Sequence, residues 1–384
     1  MRRIAIWNTA FLGDAALTLP LVRAVAAAWP DAAVDMYVRR GVGALFAAQP
    51  ELAAVREYDK RASERGAAAL WRLGRDVAGR GYDMWLGAHL SPRSAFMALC
   101  SRAGTRVGYT GGPLQRLAYT VTVPRRFGEI DEIERLMELL RPVLPAGFSP
   151  ADAFDELYPP SRPSSASAPL PPPLPAPWPR LVLPPAARDK AAAFRRGISG
   201  PLLGIHPGST WPTKRWIPAG VAEIARRAVA AGAHVLLFAA GAEETALAAA
   251  VASLAGLAGH PRLHDVSGAL SLPELAAFLA IPDCCLMNDS GPMHLAWIQR
   301  TPVTAVFGPT VPAFGFTPRG PDASVIDVPL DCRPCGRHGH VRCPRGHHDC
   351  MKRIDADRVW ADVERKLFAA RAGGASSGRP RATS

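Results

Sequence analysis

The sequence predicts an α/β protein built from two domains, each with a parallel β-sheet. Its 384 residues exceed the usual size of one domain. In both halves, short apolar segments alternate with longer helical patterns, which is the order of parallel βαβ units. A stretch rich in proline, serine and alanine separates the halves and predicts an extended linker.

The first half, residues 1–158, is the predicted N-terminal domain. Strand patterns lie at 4–7, 34–38, 52–58 and 82–86, and helical patterns lie at 15–28 and from residue 130 to 140. The basic, apolar N-terminus resembles the start of a signal peptide. Asn8, Gly13 and Asp14 interrupt it before an apolar core develops, so we predict a first strand instead.

Residues 159–198 form the predicted linker, with a short helix at 188–196. The second domain, 199–352, has strand patterns at 202–205, 234–238, 284–287 and 303–307 and helical patterns at 219–231, 243–254 and 272–279. A C-terminal helix is expected at 353–370, and the polar, basic tail 371–384 is expected to be disordered. Two α/β domains leave a cleft between them, where ligands commonly bind.

Composition limits the partners and the compartment. The formal net charge of +12 favours anionic partners such as nucleotides, phosphorylated lipids, membrane surfaces or nucleic acid. The sequence contains no run of about 18 apolar residues, so no transmembrane helix is expected. Seven cysteines, an odd number, do not indicate a secreted disulfide framework, so we expect a cytosolic protein.

The most informative segment is Asp289-Ser290-Gly291-Pro292-Met293-His294, which follows an apolar strand pattern. It predicts a helix starting near Ser290, and a helix N-terminus suits a phosphate group. Asp289 would lie at the carboxyl end of the strand, where open α/β sheets bind ligands. From this segment alone, an ordinary helix cap is an equally open interpretation.

In each domain, one further candidate loop follows the predicted first strand. In the first, Gly13 and Asp14 suit either a helix cap or a carboxylate that accepts a proton from a bound hydroxyl. In the second, Ser209 and Thr210 offer donors to phosphate oxygens, and Lys214 lies close behind them. Their spacing is not that of a P-loop, and no G-x-G-x-x-G motif indicates a dehydrogenase.

Four cysteines cluster near the C-terminus with the spacing Cys332-x2-Cys335-x7-Cys343-x6-Cys350, and histidines lie among them. Four thiolates, or three and an imidazole, would hold a tetrahedral zinc with a structural role. Packed free thiols and a redox-sensitive pair are the alternatives.

In series, these motifs resemble glycosyltransferase family 9, the bacterial heptosyltransferases that build the lipopolysaccharide inner core. The resemblance runs from residue 1 to about 365 and rests on Gly13-Asp14 with Leu19-Pro20, Lys214-Arg215-Trp216, 289–294, Thr301-Pro302 and Phe307-Gly308-Pro309-Thr310. It implies a GT-B fold, two Rossmann-like domains facing across a cleft. The N-terminal domain would bind the acceptor, and the C-terminal domain the nucleotide-sugar.

The resemblance also implies roles for single residues. Asp14 would be the general base, and Lys214 would neutralise the diphosphate leaving group without a metal. The donor would contact Ser209, Thr210, Asp289, Ser290, Gly291 and His294, with Glu243 or Glu244 at the ribose. We expect Asp14 to have a nearly ordinary pKa, because no acid neighbours it in the sequence. Glu129-Ile130-Asp131-Glu132 replaces a segment where many members carry a histidine, which leaves the acceptor open.

The leading hypothesis is a metal-independent, inverting glycosyltransferase that moves a sugar, with ADP-heptose as the expected donor, to a lipopolysaccharide core or related anionic lipid-linked acceptor. Basic candidates for holding the acceptor are Lys60, Arg61, Arg93 and Arg116. We expect peripheral contact with the cytoplasmic face of the inner membrane. One alternative is another nucleotide-sugar with a different glycan or a protein as acceptor. The other, a basic zinc-containing nucleic-acid-binding protein, lacks basic clusters interleaved with aromatic residues, so nucleic acid is not an expected partner.

Overall fold

A computed structural model describes residues 1–59, 66–160 and 171–369 of the chain. Lys60, Arg61, part of the linker and the tail 371–384 lie outside the described residues. In the described part, the first sheet contains β1 (Arg3–Trp7), β2 (Ala33–Arg39), β3 (Ala54–Tyr58), β4 (Met84–Gly87), β5 (Thr105–Tyr109) and β6 (Val121–Val123). The second contains β7 (Leu202–His206), β8 (His234–Leu237), β9 (Leu263–Asp265), β10 (Cys284–Asn288), β11 (Val303–Val306) and β12 (Ala323–Ile326).

Helices connect and cover these strands. The first domain has α1 (Leu12–Leu17), α2 (Leu19–Ala28), α3 (Ala67–Gly79), α4 (Pro92–Ser101), α5 (Pro113–Ala118), α6 (Glu132–Met137) and α7 (Pro150–Ala153). Then follow α8 (Pro185–Arg196), α9 (Pro218–Ala230), α10 (Gly241–Leu254), α11 (Leu272–Phe278), α12 (Gly291–Ile298), α13 (Asp349–Lys352) and α14 (Ala356–Leu367). Short 3₁₀ turns lie at Gly43–Phe46, Pro212–Lys214 and Pro312–Phe314.

The two sheets have the same topology. Their strand orders are β3-β2-β1-β4-β5-β6 and β12-β11-β10-β7-β8-β9, and every adjacent pair is parallel. In each sheet the order reverses between two central strands, β1 and β4 in the first and β7 and β10 in the second. Loops at such a reversal open a crevice at the carboxyl edge of the sheet, which is where ligands bind in this architecture. The predicted class, α/β with two Rossmann-like sheets, is confirmed.

The strands are almost wholly buried because both faces of each sheet are covered. Ile4 and Ile6 point to one face of the first sheet, whereas Ala5 and Trp7 point to the other, into an aromatic cluster. The cluster that contains Ile4 and Ile6 continues into the second domain through Phe278 and Trp297. The two domains therefore share an apolar junction, which holds their carboxyl edges close together.

Three predicted helices differ from the structure. The helical pattern at 15–28 is two helices, because Thr18 ends α1 and Pro20 lies in the first turn of α2, where its missing N–H costs nothing. The pattern from 130 gives only the six residues of α6, and its apolar positions continue into turns. The C-terminal helix covers Ala356–Leu367, a shorter range than 353–370. None of the helices described is long and apolar enough to cross a membrane.

Candidate active site

The candidate site forms where the carboxyl edges of the two sheets meet. Three loops contribute to it: the loop after β1 that carries Asp14, the loop after β7 that carries Lys214, and the turn after β10 that carries Asp289. Helix α1 packs against α12 across the junction. The structure therefore brings together the two halves of the site that the sequence places far apart.

Lys214 and Asp289 form a close ion pair. The Lys214 Nζ atom donates to Asp289 Oδ2 at 2.5 Å, and the hydroxyl of Thr310 donates to the same oxygen at 2.6 Å. Both charged side chains are largely buried, with exposures of 12% and 9%. An ammonium group has three N–H donors, so a phosphate bound here can share the lysine with the carboxylate.

The loop after β7 is held by its own polar contacts. The Ser209 hydroxyl donates to the carbonyl of Asp289 at 3.4 Å, whereas Thr210 is exposed. The Arg215 guanidinium donates to the Ser209 carbonyl at 2.9 Å and to the Glu243 carboxylate at 2.6 Å. This hydrogen bond from Arg215 lowers the pKa of Glu243, whose carboxylate remains exposed.

The Glu244 side chain also lies against the loop after β7, beside Gly208. Its carboxylate lies within 3.3 Å of His206 Nε2 and accepts from the backbone N–H of Ala240 at 3.2 Å. A Cβ atom on Gly208 would lie 2.4 Å from its carboxyl carbon, so any larger residue there would displace the Glu244 side chain. Burial, the largest single influence, acts to raise the pKa of Glu244. The hydrogen bonds and charges of His206, Ala240 and Arg215 together outweigh it, so the pKa is lowered.

The N-terminus of α12 packs against the first turn of α1. Ser290 is its N-cap, and the Ser290 hydroxyl is buried with no hydrogen-bond partner among the described residues. Gly291 packs against Leu12, and a Cβ on Gly13 would lie only 2.7 Å from Cδ2 of His294. Burial lowers the pKa of His294 to about 4, so its imidazole is neutral at physiological pH.

Asp14 is fixed by the start of α1. Its Oδ2 accepts from the backbone N–H of Phe11 at 3.2 Å, and its carbonyl accepts from the Thr18 hydroxyl at 2.8 Å. Burial, and after it the charge of Glu132, raise the pKa of the Asp14 carboxyl to about 6. The expectation of a nearly ordinary pKa is therefore wrong, because folding buries this carboxyl and because α6 supplies an acid, Glu132, that is distant in sequence.

The sequence reasoning missed Glu132, whose charge acts on Asp14. It is buried, its carboxylate accepts from Arg135 Nε at 2.7 Å, and Arg125 Nη2 lies at 3.8 Å. The Arg125 charge acts on Asp14 and on His338, so Arg125 lies between the two domains. The signal available in the sequence was the acidic segment 129–132, which departs from the family pattern.

The cysteine-rich segment packs beside the turn that carries Lys214. The backbone N–H of Thr213 donates to the carbonyl of His340 at 3.2 Å, and His348 Nε2 contacts the carbonyl of Thr213 at 2.8 Å. The ring of His338 stacks on Trp211 with centroids 6.2 Å apart, and it also meets the ring of Phe11. Burial and the charge of Lys214 lower the pKa of His338.

The four cysteines of this segment are free thiols. The thiol of Cys335 contacts the carbonyl of Cys332 at 3.1 Å, and Sγ of Cys332 lies 4.0 Å from His347 Nε2. Burial raises the pKa of Cys350 to about 11. In ranges 1–59, 66–160 and 171–369, no three His, Cys, Asp or Glu side chains are arranged to hold a metal.

The basic acceptor candidates lie in different places. Arg93 is in the first turn of α4, at the same sheet edge as Asp14, and it donates to the Tyr58 hydroxyl at 3.3 Å. Arg116 is exposed on α5. Lys60 and Arg61 fall outside the described residues.

The sequence and the fold of this chain were compared with those of known proteins. The family model described as "Glycosyltransferase family 9 (heptosyltransferase)" matches residues 70–342. Lipopolysaccharide heptosyltransferase 2 of Salmonella typhimurium is 25% identical over 370 residues, which cover 95% of this chain and 98% of that protein. Lipooligosaccharide heptosyltransferase 2 of Campylobacter jejuni is 27% identical over 169 residues, so the match spans only about half (51%) of its length.

The solved structure of the Escherichia coli ADP-heptose lipopolysaccharide heptosyltransferase II has a similar fold. The TM-score is 0.72 at 22% identity, with 97% of this chain and 100% of that chain covered. The GT-B fold expected from the sequence is confirmed. Nothing in these comparisons favours a nucleic-acid-binding protein.

The raised pKa of Asp14 predicts a pH-dependent change in stability. The unfolded carboxyl has a pKa of 3.8 and the folded one of about 6, so its ionisation above pH 6 opposes folding. Asp14→Asn should therefore raise the free energy of unfolding by up to about 3 kcal/mol at about pH 8. The gain should shrink as the pH falls from about 6 to about 4, the interval between the folded and unfolded pKa values, and urea denaturation at about pH 8 and about pH 4 measures the difference.

Asp152→Asn, which removes an exposed carboxylate, is the matched control. It should change the free energy of unfolding by less than about 0.5 kcal/mol at either pH. If Asp14→Asn gains no more than this control at about pH 8, the pKa of Asp14 is not raised.

Proposed function

Because the chain belongs to glycosyltransferase family 9, we propose that it transfers heptose from ADP-heptose to a hydroxyl of the lipopolysaccharide core. The names of its relatives support this donor and this acceptor. The observation that carries the proposal is the meeting of Asp14, on the first domain, with the Lys214–Asp289 pair on the second. A base on the acceptor side and a cation on the leaving-group side are what an inverting transfer requires.

On the donor side, the diphosphate lies against the loop after β7 and the N-terminus of α12. Ser209, the unpartnered hydroxyl of Ser290 and the backbone N–H groups of that helix end are suited to phosphate oxygens. Lys214 supplies the positive charge, and Asp289 orients its ammonium group. In this proposal no metal takes part in the transfer. Glu243 and Glu244, at the start of α10, are the candidates for the ribose hydroxyls.

On the acceptor side, Asp14 removes the proton from the attacking hydroxyl. The new bond joins this oxygen to the anomeric carbon, the bond from that carbon to the diphosphate oxygen breaks, and ADP leaves with the electron pair. A carboxyl with a pKa of about 6 is ionised at neutral pH and is a stronger base than an ordinary aspartate. Burial thus raises the pKa of Asp14 towards neutral pH, which makes its carboxylate a better general base.

The acceptor is proposed to be an anionic, lipid-linked saccharide reached at the cytoplasmic face of the inner membrane. Arg93 supports this because it lies at the edge of the sheet that carries Asp14, and Arg116 adds charge nearby on α5. Lys60 and Arg61 remain candidates from the sequence. The acceptor hydroxyl is not specified by these residues.

A structural zinc at Cys332, Cys335, Cys343 and Cys350 is also a proposal. The four thiols belong to one segment, and the pKa of Cys350 responds to the charges of the other three. Plasma mass spectrometry of the purified protein should find about one zinc per chain, in keeping with a four-thiolate site. Less than a tenth of this amount, in protein purified without chelators, would refute a structural zinc.

The transfer itself is tested with ADP-heptose and a core saccharide as substrates. Wild type should release ADP in step with heptosylated product, and Asp14→Asn should lose at least about a thousandfold in kcat. Its affinity for ADP should stay within about twofold, because Asp14 lies on the acceptor side. Near-normal kcat in Asp14→Asn would show that another group is the base. Absence of product in the wild type would refute the donor or the acceptor.

The donor site is tested by calorimetric titration of ADP, UDP, GDP and CMP. We expect selective binding of ADP, weakened about 10–100-fold in Lys214→Ala because a charged hydrogen bond to phosphate is lost. Lys190→Ala is the control, since Lys190 is an exposed lysine paired with Glu274 outside the site. Preference for another nucleotide would keep the fold and exclude ADP-heptose as the donor.

A further inference from the structure

An exposed apolar patch lies on two helices of the first domain. Trp71 on α3 is 59% exposed, and Leu117 and Leu114 on α5 are 69% and 36% exposed. Helix α4 packs against both α3 and α5, so the three helices form one side of the domain. Helix α4 lies between the other two, so the exposed apolar residues border it on both sides. Three large apolar side chains on one side of a domain exceed the single ones that any surface carries.

The local sequence turns these side chains outward. Ala69, Gly74 and Val77 form the buried side of α3, so Trp71 lies on the opposite side. In α5, Gln115 and Ala118 are buried, whereas Leu114 and Leu117, three positions apart, share the outer side. Neither helix needs these large apolar residues to pack against its own sheet.

Arginines surround the apolar residues. Arg72 and Arg75 are exposed on α3, and Arg116 is exposed on α5 between the two leucines. The only carboxylate in these three helices is Asp76, which pairs with Arg80 at 2.8 Å. We name the set Trp71, Arg72, Arg75, Leu114, Arg116 and Leu117 the α3–α5 face. It is both apolar and positively charged.

The α3–α5 face adjoins the acceptor side of the cleft. Helices α3, α4 and α5 each follow a strand of the parallel sheet, so all three begin at its carboxyl edge. Asp14 and Arg93 lie at the same edge. A partner bound to the face is therefore beside the entrance through which an acceptor approaches the base.

We propose that the α3–α5 face docks on a bilayer that carries anionic head groups. Indole and leucine side chains enter the interfacial layer, and arginines bind the lipid phosphates. Charge complementarity favours this occupant over a second copy of the chain, because two such faces would repel each other. The inference rests on the proposed function: docking lets a lipid-linked acceptor reach Asp14 while its lipid stays in the membrane.

Vesicle co-sedimentation of the full chain tests the proposal. The protein should bind vesicles of phosphatidylglycerol and phosphatidylcholine, and binding to phosphatidylcholine alone should be at least about tenfold weaker. Trp71→Ser/Leu117→Ser and Arg72→Glu/Arg75→Glu should each reduce binding to the anionic vesicles at least about tenfold. The control is Leu254→Ser/Arg196→Glu, which changes exposed residues on α10 and α8 and should bind like wild type.

Two results would overturn the proposal. One is equal binding of wild type and both face variants to anionic vesicles, with thermal unfolding showing all of them folded. The other is a wild-type dimer in solution that both face variants convert to monomer, which would make the face an interface between copies.

Activity assays separate this proposal from the proposed function. With a water-soluble, delipidated core saccharide, Trp71→Ser/Leu117→Ser should keep wild-type kcat, because neither residue belongs to the transfer site. With the acceptor embedded in anionic vesicles, the same variant should lose at least about tenfold in kcat/KM. Equal loss with both acceptors would contradict docking. Vesicle binding by a wild type that transfers no heptose would keep the docking face and refute the proposed function.

Discussion

The close approach of α1 and α12 is the contact on which the candidate site depends. Gly13 lies under the ring of His294, and Gly291 lies against Leu12, so a glycine from each domain removes the Cβ that would hold the helices apart. Asp14 lies in the first turn of α1, and Asp289 lies two residues before α12 begins. Any separation here would move the base away from the phosphate-binding side of the cleft.

The same junction buries several charged side chains. Arg135, fully buried, donates to Glu132, and it also donates to the carbonyl of Phe314 in the second domain at 2.8 Å. The backbone N–H of Glu132 donates to the carbonyl of Gly315 at 2.9 Å. Buried ion pairs are often no more stabilising than apolar residues of similar size. Their effect here is electrostatic, because Glu132, held by both domains, adds to the burial that raises the pKa of Asp14.

Local patterns were enough to predict the fold and the loops of the site. A strand, a sharp turn and a helix start can be read from a few residues, and Asp14, Ser209 and Asp289 follow their strands as expected. Contacts between distant segments could not be predicted. The effect of Glu132 on Asp14, the pair of Lys214 with Asp289, and the packing of His338 on Trp211 all join residues far apart in the chain. Thr18, where α1 ends, likewise accepts a hydrogen bond from the Asn8 side chain at 2.7 Å.

The most direct test of this account is the turnover of Gly13→Ala, which adds one methyl group where the two domains meet. The new Cβ would lie 2.7 Å from the His294 ring, so kcat for heptose transfer should fall at least about tenfold while ADP affinity stays within about twofold. Gly104→Ala, at a position with open space, is the control. Wild-type kcat in Gly13→Ala would contradict the claim that this contact sets the distance between base and donor.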